Sequence, residues 1–152
     1  LYNIEPDMLT IAKSIAGGFP CAALMVNDVI ASAVGPGDLG STFGGGPLAC
    51  TLIRTGIDVI ERDHLIGNVR VLSDYIAAHC QVGPVDSLQG KGFLLGLKCR
   101  RPAVEIRNEL LDLNILVGTS TDPYVIRLLP PLITEEQHFA RLIECLAEIP
   151  DK

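Results

Sequence analysis

Residues 6–26 read PDMLTIAKSIAGGFPCAALMV, and the fold of the chain turns on this stretch. Residues 8–12 form a short apolar run ending on Lys13, and residues 22–26 form a second. Between them Ala16-Gly17-Gly18-Phe19-Pro20 supplies turn-forming residues, so the pattern predicts two strands and a tight connection. A lysine at the end of an apolar strand, just before Gly-Gly, is uncommon unless its amine is directed into a cavity. On that placement alone, a solvated surface lysine is the better reading by roughly ten to one.

Downstream, residues 35–47 are Gly-rich and lack periodicity, which predicts a loop. From Pro47 the pattern turns helical: Leu48, Leu52, Ile53, Ile57 and Ile60 share a face, with proline where a first helical residue tolerates it. A second helix carries Leu65, Val69, Leu72 and Ile76, and Arg62-Asp63-His64 is the expected break. Beyond Gly83-Pro84 the texture becomes α+β. Strands are expected at 85–88 and 93–99 around a Gly90-Lys91-Gly92 turn, then a helix opened by Pro102, then strands at 115–117 and 125–129. The last helix has a start signal in Thr134 and Gln137, read as a capping box, with Glu135 and Glu136 at the positive end of the dipole.

Composition narrows the function classes. A net charge of −6 over 152 residues leaves no basic stripe for a phosphate backbone, so no nucleic-acid partner is expected. The five cysteines, at 21, 50, 80, 99 and 145, show neither CxxC pairing nor metal-ligand spacing, and predict no metal site. They read as reduced thiols of a cytoplasmic protein. No apolar run reaches the roughly 18 residues of a membrane span. Leu1 is not an initiator methionine, and the chain is expected to be a fragment.

Two further sites stand out on residue chemistry. The run Gly40-Ser41-Thr42-Phe43-Gly44-Gly45-Gly46-Pro47 lets backbone N–H groups and a hydroxyl approach an anion ahead of a helix start. Without other support a plain Gly-rich loop is favoured there at about three to one. Arg127 shares a strand face with Val125 and Leu129, where a guanidinium needs an anionic partner. An edge-strand arginine paired with a carboxylate such as Glu135 is an equally good reading from spacing.

The segments PDMLTIAKSIAGGFPCAALMV, GSTFGGGPLAC, LQGKGFLLGLK and VIRLLPPLITEEQ occur in this order. Together they resemble the class III aminotransferases across nearly the whole chain, most closely those acting on acetylornithine, succinylornithine and ornithine. The resemblance implies an α/β fold: residues 1–68 as the end of the fold type I large domain with its linking helices, and residues 69–152 as a small α+β C-terminal domain. It further implies pyridoxal phosphate as cofactor, with Lys13 as the catalytic residue that holds it as a Schiff base and later shuttles the α proton. Ser41 and Thr42 become cofactor-binding residues, the threonine reaching the phosphate of the partner subunit in a homodimer. Arg127 becomes the residue that grips the α-carboxylate of the amino acid or 2-oxo acid, a planar fork that lysine does not reproduce.

Two positions depart from the family pattern: Gly46 stands where asparagine is usual, and Leu39 where histidine is common. The cofactor-stacking aromatic, the aspartate for the pyridine nitrogen and the Gly/Ser-rich phosphate loop of this family find no counterpart. The expected function is transfer of an amino group from an ornithine-type donor to a 2-oxo acid, with these 152 residues inactive alone. A mutase or decarboxylase relative, or a noncatalytic truncated domain, is the alternative.

Overall fold

The computed structural model describes residues 3–42 and 44–151. The two apolar runs around the Gly-Gly turn pair as antiparallel strands, β1 (Met8–Ile11) and β2 (Ala23–Val26), from Met8↔Val26 to Ile11↔Ala23. The chain leaves β1 through one turn of 3-10 helix, Lys13–Ala16. Gly17 closes it at φ 62, donating its N–H to the Ser14 carbonyl at 3.0 Å, a left-handed cap that glycine adopts without steric cost.

Asn27 ends the ribbon with three bonds. Its amide donates to Asp7 Oδ1 at 2.7 Å and its N–H to the Asp7 carbonyl at 3.0 Å. Its Oδ1 accepts from the Ile30 N–H at 3.0 Å, capping a short helix, α1 (Asp28–Ser32). The sequence pattern had not indicated α1; the Asn-Asp pair at 27–28 is the local signal for it. The predicted long helix is α2 (Pro47–Arg62), with Gly46 as N-cap and proline in the first turn.

The chain divides into two compact units, Leu1–Asp63 and His64–Lys152. The boundary expected after residue 68 therefore falls inside α3 (Leu65–His79), whose N-cap His64 is left-handed at φ 52. Among the described residues of the first unit only Ala16 is buried, while Met8, Leu24, Met25 and Leu48 are each about half exposed. A two-stranded ribbon is marginal by itself in water, and exposed apolar side chains of this density mark a surface built to be covered.

The second unit carries a full core. Strands β3 (Val85–Lys91), β4 (Leu94–Cys99), β5 (Gly118–Thr119) and β6 (Val125–Leu128) form one antiparallel sheet in the order β3-β4-β6-β5. Helices α3, α4 (Ala103–Asp112) and α5 (Glu136–Glu148) bring Leu72, Ile76, Ile106, Leu110, Phe139 and Leu146 into the core. There they join Leu95, Leu97, Ile126 and Leu128 of the sheet. Each such side chain contributes about 1.5–3 kcal/mol by leaving water. Phe93 meets Phe139 edge-on with centroids 5.6 Å apart.

Three local expectations are corrected here. The β3–β4 hairpin pairs out to Lys91↔Leu94, so its turn is Gly92-Phe93, with Gly92 at φ 58, rather than residues 90–92. The strand expected at 115–117 lies at Gly118–Thr119 instead, because the residues after α4 are drawn back by the Ile115 N–H to the Leu110 carbonyl at 2.8 Å. The capping box of α5 is Glu135 with His138, one residue on from Thr134 and Gln137. Thr134 is buried and committed elsewhere: its N–H and hydroxyl both donate to the Pro131 carbonyl, and its own carbonyl accepts from Asn68 Nδ2 at 2.9 Å. Helix entry is thereby displaced toward the C-terminus.

Candidate active site

Lys13 opens the 3-10 turn after β1 and has φ 64, a left-handed conformation that a long side chain adopts at a steric cost of about 1–3 kcal/mol. Its side chain is exposed and makes no hydrogen bond or ion pair among the described residues. The turn is held from behind by α2. Gly56 is the contact, and a methyl there would stand 2.6 Å from the Ile15 carbonyl oxygen.

Ser41 and Thr42 are exposed in the loop before α2. The Ser41 hydroxyl accepts the Gly44 N–H at 3.1 Å, tightening the loop, whereas the Thr42 hydroxyl has no partner among the described residues. Phe43 lies outside them. The α2 start that follows has no side-chain cap and no acidic residue in its first turn, which leaves its free N–H groups and positive dipole end for an anion.

From the contact at Gly56 to Pro47 is nine residues of helix, which at 1.5 Å per residue is about 13 Å. The Lys13 turn thus packs on the interior of α2, whereas the Thr42 loop leads into its N-terminus. Arg127 belongs to the second unit.

On β6 the side chains of Ile126 and Leu128 enter the core, so Arg127 and Val125 stand on the sheet face turned away from the helices. The strand is interior, between β4 and β5, and Arg127 makes no ion pair among the described residues. The alternative of an edge-strand arginine neutralised by Glu135 is therefore not what the structure holds. Glu135 is occupied with the α5 cap and accepts the Gln137 amide at 2.6 Å.

Register places four residues in one row across that open face: Gln89 on β3, Gly96 on β4, Arg127 on β6 and Gly118 on β5. The Arg127 guanidinium folds over Gly118, where a methyl would lie 3.3 Å from Nε and 3.4 Å from Nη2. Arg127 borders two concavities, one of about 410 Å³ shared with Gln89, Gly96 and Ser120, and one of about 860 Å³ toward Leu129, Ile133 and His138. Sequence reasoning did not find Gln89, Gly96 or Gly118 as neighbours of Arg127; no spacing within one strand carries that information.

Lys98, on the same face, is paired. Its Nζ donates to Asp122 Oδ2 at 2.6 Å and stands 5.5 Å from the centre of the Tyr124 ring. The hydrogen bond from Lys98, with a second from the Tyr124 N–H, lowers the Asp122 carboxyl below its ordinary range. No cluster of His, Cys, Asp and Glu suited to a metal occurs among the described residues, and none of their helices is long and apolar enough to cross a membrane.

Comparison with known proteins adds the family. The family model described as class-III aminotransferase matches residues 1–149. The acetylornithine aminotransferase of Methanocaldococcus jannaschii is 35% identical over 97% of this chain and 38% of its own length. Ornithine aminotransferase 1 of Staphylococcus saprophyticus is 31% identical over 99% of this chain and 39% of its own. The solved acetylornithine aminotransferase from Elizabethkingia anophelis superposes with a TM-score of 0.85 at 26% identity, covering 96% of this chain and 39% of that one. The chain thus spans about two fifths of the length of these relatives.

Proposed function

The chain belongs to the class-III aminotransferase family, and on that premise we propose that it is part of a cytoplasmic enzyme moving an amino group between an ornithine-type amino acid and a 2-oxo acid. Pyridoxal phosphate is the cofactor in this reading, bound covalently through Lys13. The unit Leu1–Asp63 is then the end of the large cofactor-binding domain, and His64–Lys152 the small C-terminal domain.

The observation that carries this reading is Lys13 itself: a strained, left-handed lysine whose amine has no partner among the described residues. Backbone strain of that kind persists where surrounding structure over-determines it, as at reactive centres. The residues present fit the cofactor's chemistry. An unengaged amine suits its aldehyde, and an unengaged Thr42 hydroxyl beside an uncapped helix start suits its phosphate.

When bound, pyridoxal phosphate supplies the electron sink for the pair released at the substrate α carbon. The chain's residues handle placement and the proton. Arg127 holds the α-carboxylate in its planar fork and so orients the α C–H bond. The Lys13 Nζ would take that proton and return it. In this reading the complete enzyme is a homodimer in which the Thr42 hydroxyl serves the partner's cofactor phosphate.

Borohydride reduction of the full-length, cofactor-loaded enzyme, followed by peptide mapping, tests the assignment. The expected adduct is on the peptide containing Lys13. An adduct confined to another lysine, or to none, overturns it.

A further inference from the structure

Gln89 lies on the same open sheet face as Arg127. Its side chain leans over Gly96 toward the Arg127 strand, with Cγ and Nε2 each 3.0 Å from where a methyl on Gly96 would stand. Gly96 is the register partner of both Gln89 and Arg127, so the residue between them on that face carries no side chain, and Val125 Cγ1 closes on the same spot. Both line the 410 Å³ concavity. The Gln89 carboxamide, like the Arg127 guanidinium, has no hydrogen-bond partner among the described residues.

We infer that Gln89 is a second carboxylate-binding residue, its Nε2–H donating to the carboxylate that Arg127 holds, with Gly96 as the positioning residue that lets the amide lie there. This rests on the carboxylate-binding reading of Arg127. A guanidinium fork uses two of the acceptor sites of a carboxylate and leaves outer lone pairs open, which a neutral amide donor from the side can fill without adding charge. A methyl on Gly96 would also press on Val125 Cγ1 at 2.9 Å, so the trough tolerates no side chain at that position without displacing the amide.

The test uses the full-length enzyme and four variants. Q89M keeps length and volume but loses the donor, and is expected to raise the KM for the 2-oxo acid about 10-fold with kcat within about twofold. Q89E places an anion beside the substrate carboxylate and is expected to raise it about 100-fold or more. G96A is expected to match Q89M, and combining the two should add little. Calorimetric titration with glutarate, an unreactive dicarboxylate, should show the same factors in Kd.

Wild-type KM and glutarate affinity in both Q89M and Q89E overturn the role of Gln89. The fourth variant, R127A, separates the two levels. If R127A weakens glutarate binding while the Gln89 variants do not, only this inference falls. If R127A is also silent, the carboxylate-binding reading falls with it.

Discussion

The guanidinium of Arg127 lies across Gly118 of the neighbouring strand, Nε 3.3 Å from the position a methyl would occupy. The absence of a side chain at Gly118 thus sets the direction of the longest polar group on the open sheet face. In G118A the guanidinium has to give by a few tenths of an ångström. The expected result in the full-length enzyme is a several-fold rise in substrate KM with unchanged cofactor absorbance, measured by steady-state kinetics and spectroscopy.

R127K tests the fork itself. Replacing a bidentate donor by a point charge is expected to cost on the order of 1.5–3 kcal/mol in kcat/KM, with cofactor binding intact. Kinetics equal to wild type would leave Arg127 a structural residue. Because G118A and R127K act on one group, their effects should not add.

The α5 cap offers a stability test that separates two adjacent sequence patterns. Glu135 and His138 satisfy each other's backbone N–H groups. E135A is expected to lower unfolding free energy by about 1 kcal/mol, and Q137A by less than about 0.5 kcal/mol. Urea denaturation measures both. Equal losses would return the cap to Thr134 and Gln137.

The thiols divide by burial. Cys80, Cys99 and Cys145 are buried and Cys50 is exposed, so iodoacetamide should label Cys50 first and the three core thiols only on unfolding. Burial pushes the Cys99 thiol up to about 11. Unfolded, it titrates at about 8.5. Its stabilising contribution is therefore fully present below about pH 8.5 and is lost as pH rises through the folded value. The fall of Tm between those limits should be shallower in C99A.

The Lys98–Asp122 pair acts at the opposite end of the scale. Its carboxyl is held below the ordinary value, so the stabilisation is present above about pH 3.9 and is lost as pH falls through the lower, folded value. Both side chains are partly exposed, and the effect should be small and salt-sensitive. Tm measured against pH should fall less steeply on the acid side in D122N than in wild type.

These 152 residues alone, given pyridoxal phosphate, are expected to show negligible turnover of acetylornithine with 2-oxoglutarate. They provide a lysine, a hydroxyl and an arginine, yet transamination also needs the cofactor ring held and protonated. The exposed apolar side chains of the first unit should drive self-association, visible in sedimentation. Robust turnover that disappears in K13A would show that the chain is catalytically sufficient.

Much of this protein is legible in its sequence, because the relevant signals are local. Apolar spacing marked α2 and α3, Pro47 marked a helix start, and the Gly17-Gly18 step marked the turn after Lys13. The order of four contiguous segments was enough for the family. What only tertiary structure decided involves residues far apart in the chain. Thr134 loses the α5 cap because its hydroxyl is spent on the Pro131 carbonyl, while Asn68, on another helix, holds its own carbonyl in place. Arg127 has no carboxylate partner among the described residues because β6 is an interior strand and Glu135 is engaged in the α5 cap. The row from Gln89 to Gly118 exists only once antiparallel register is set. Alternation tells which face a side chain takes, but the identity of its neighbour is a property of strand pairing, which no single strand encodes.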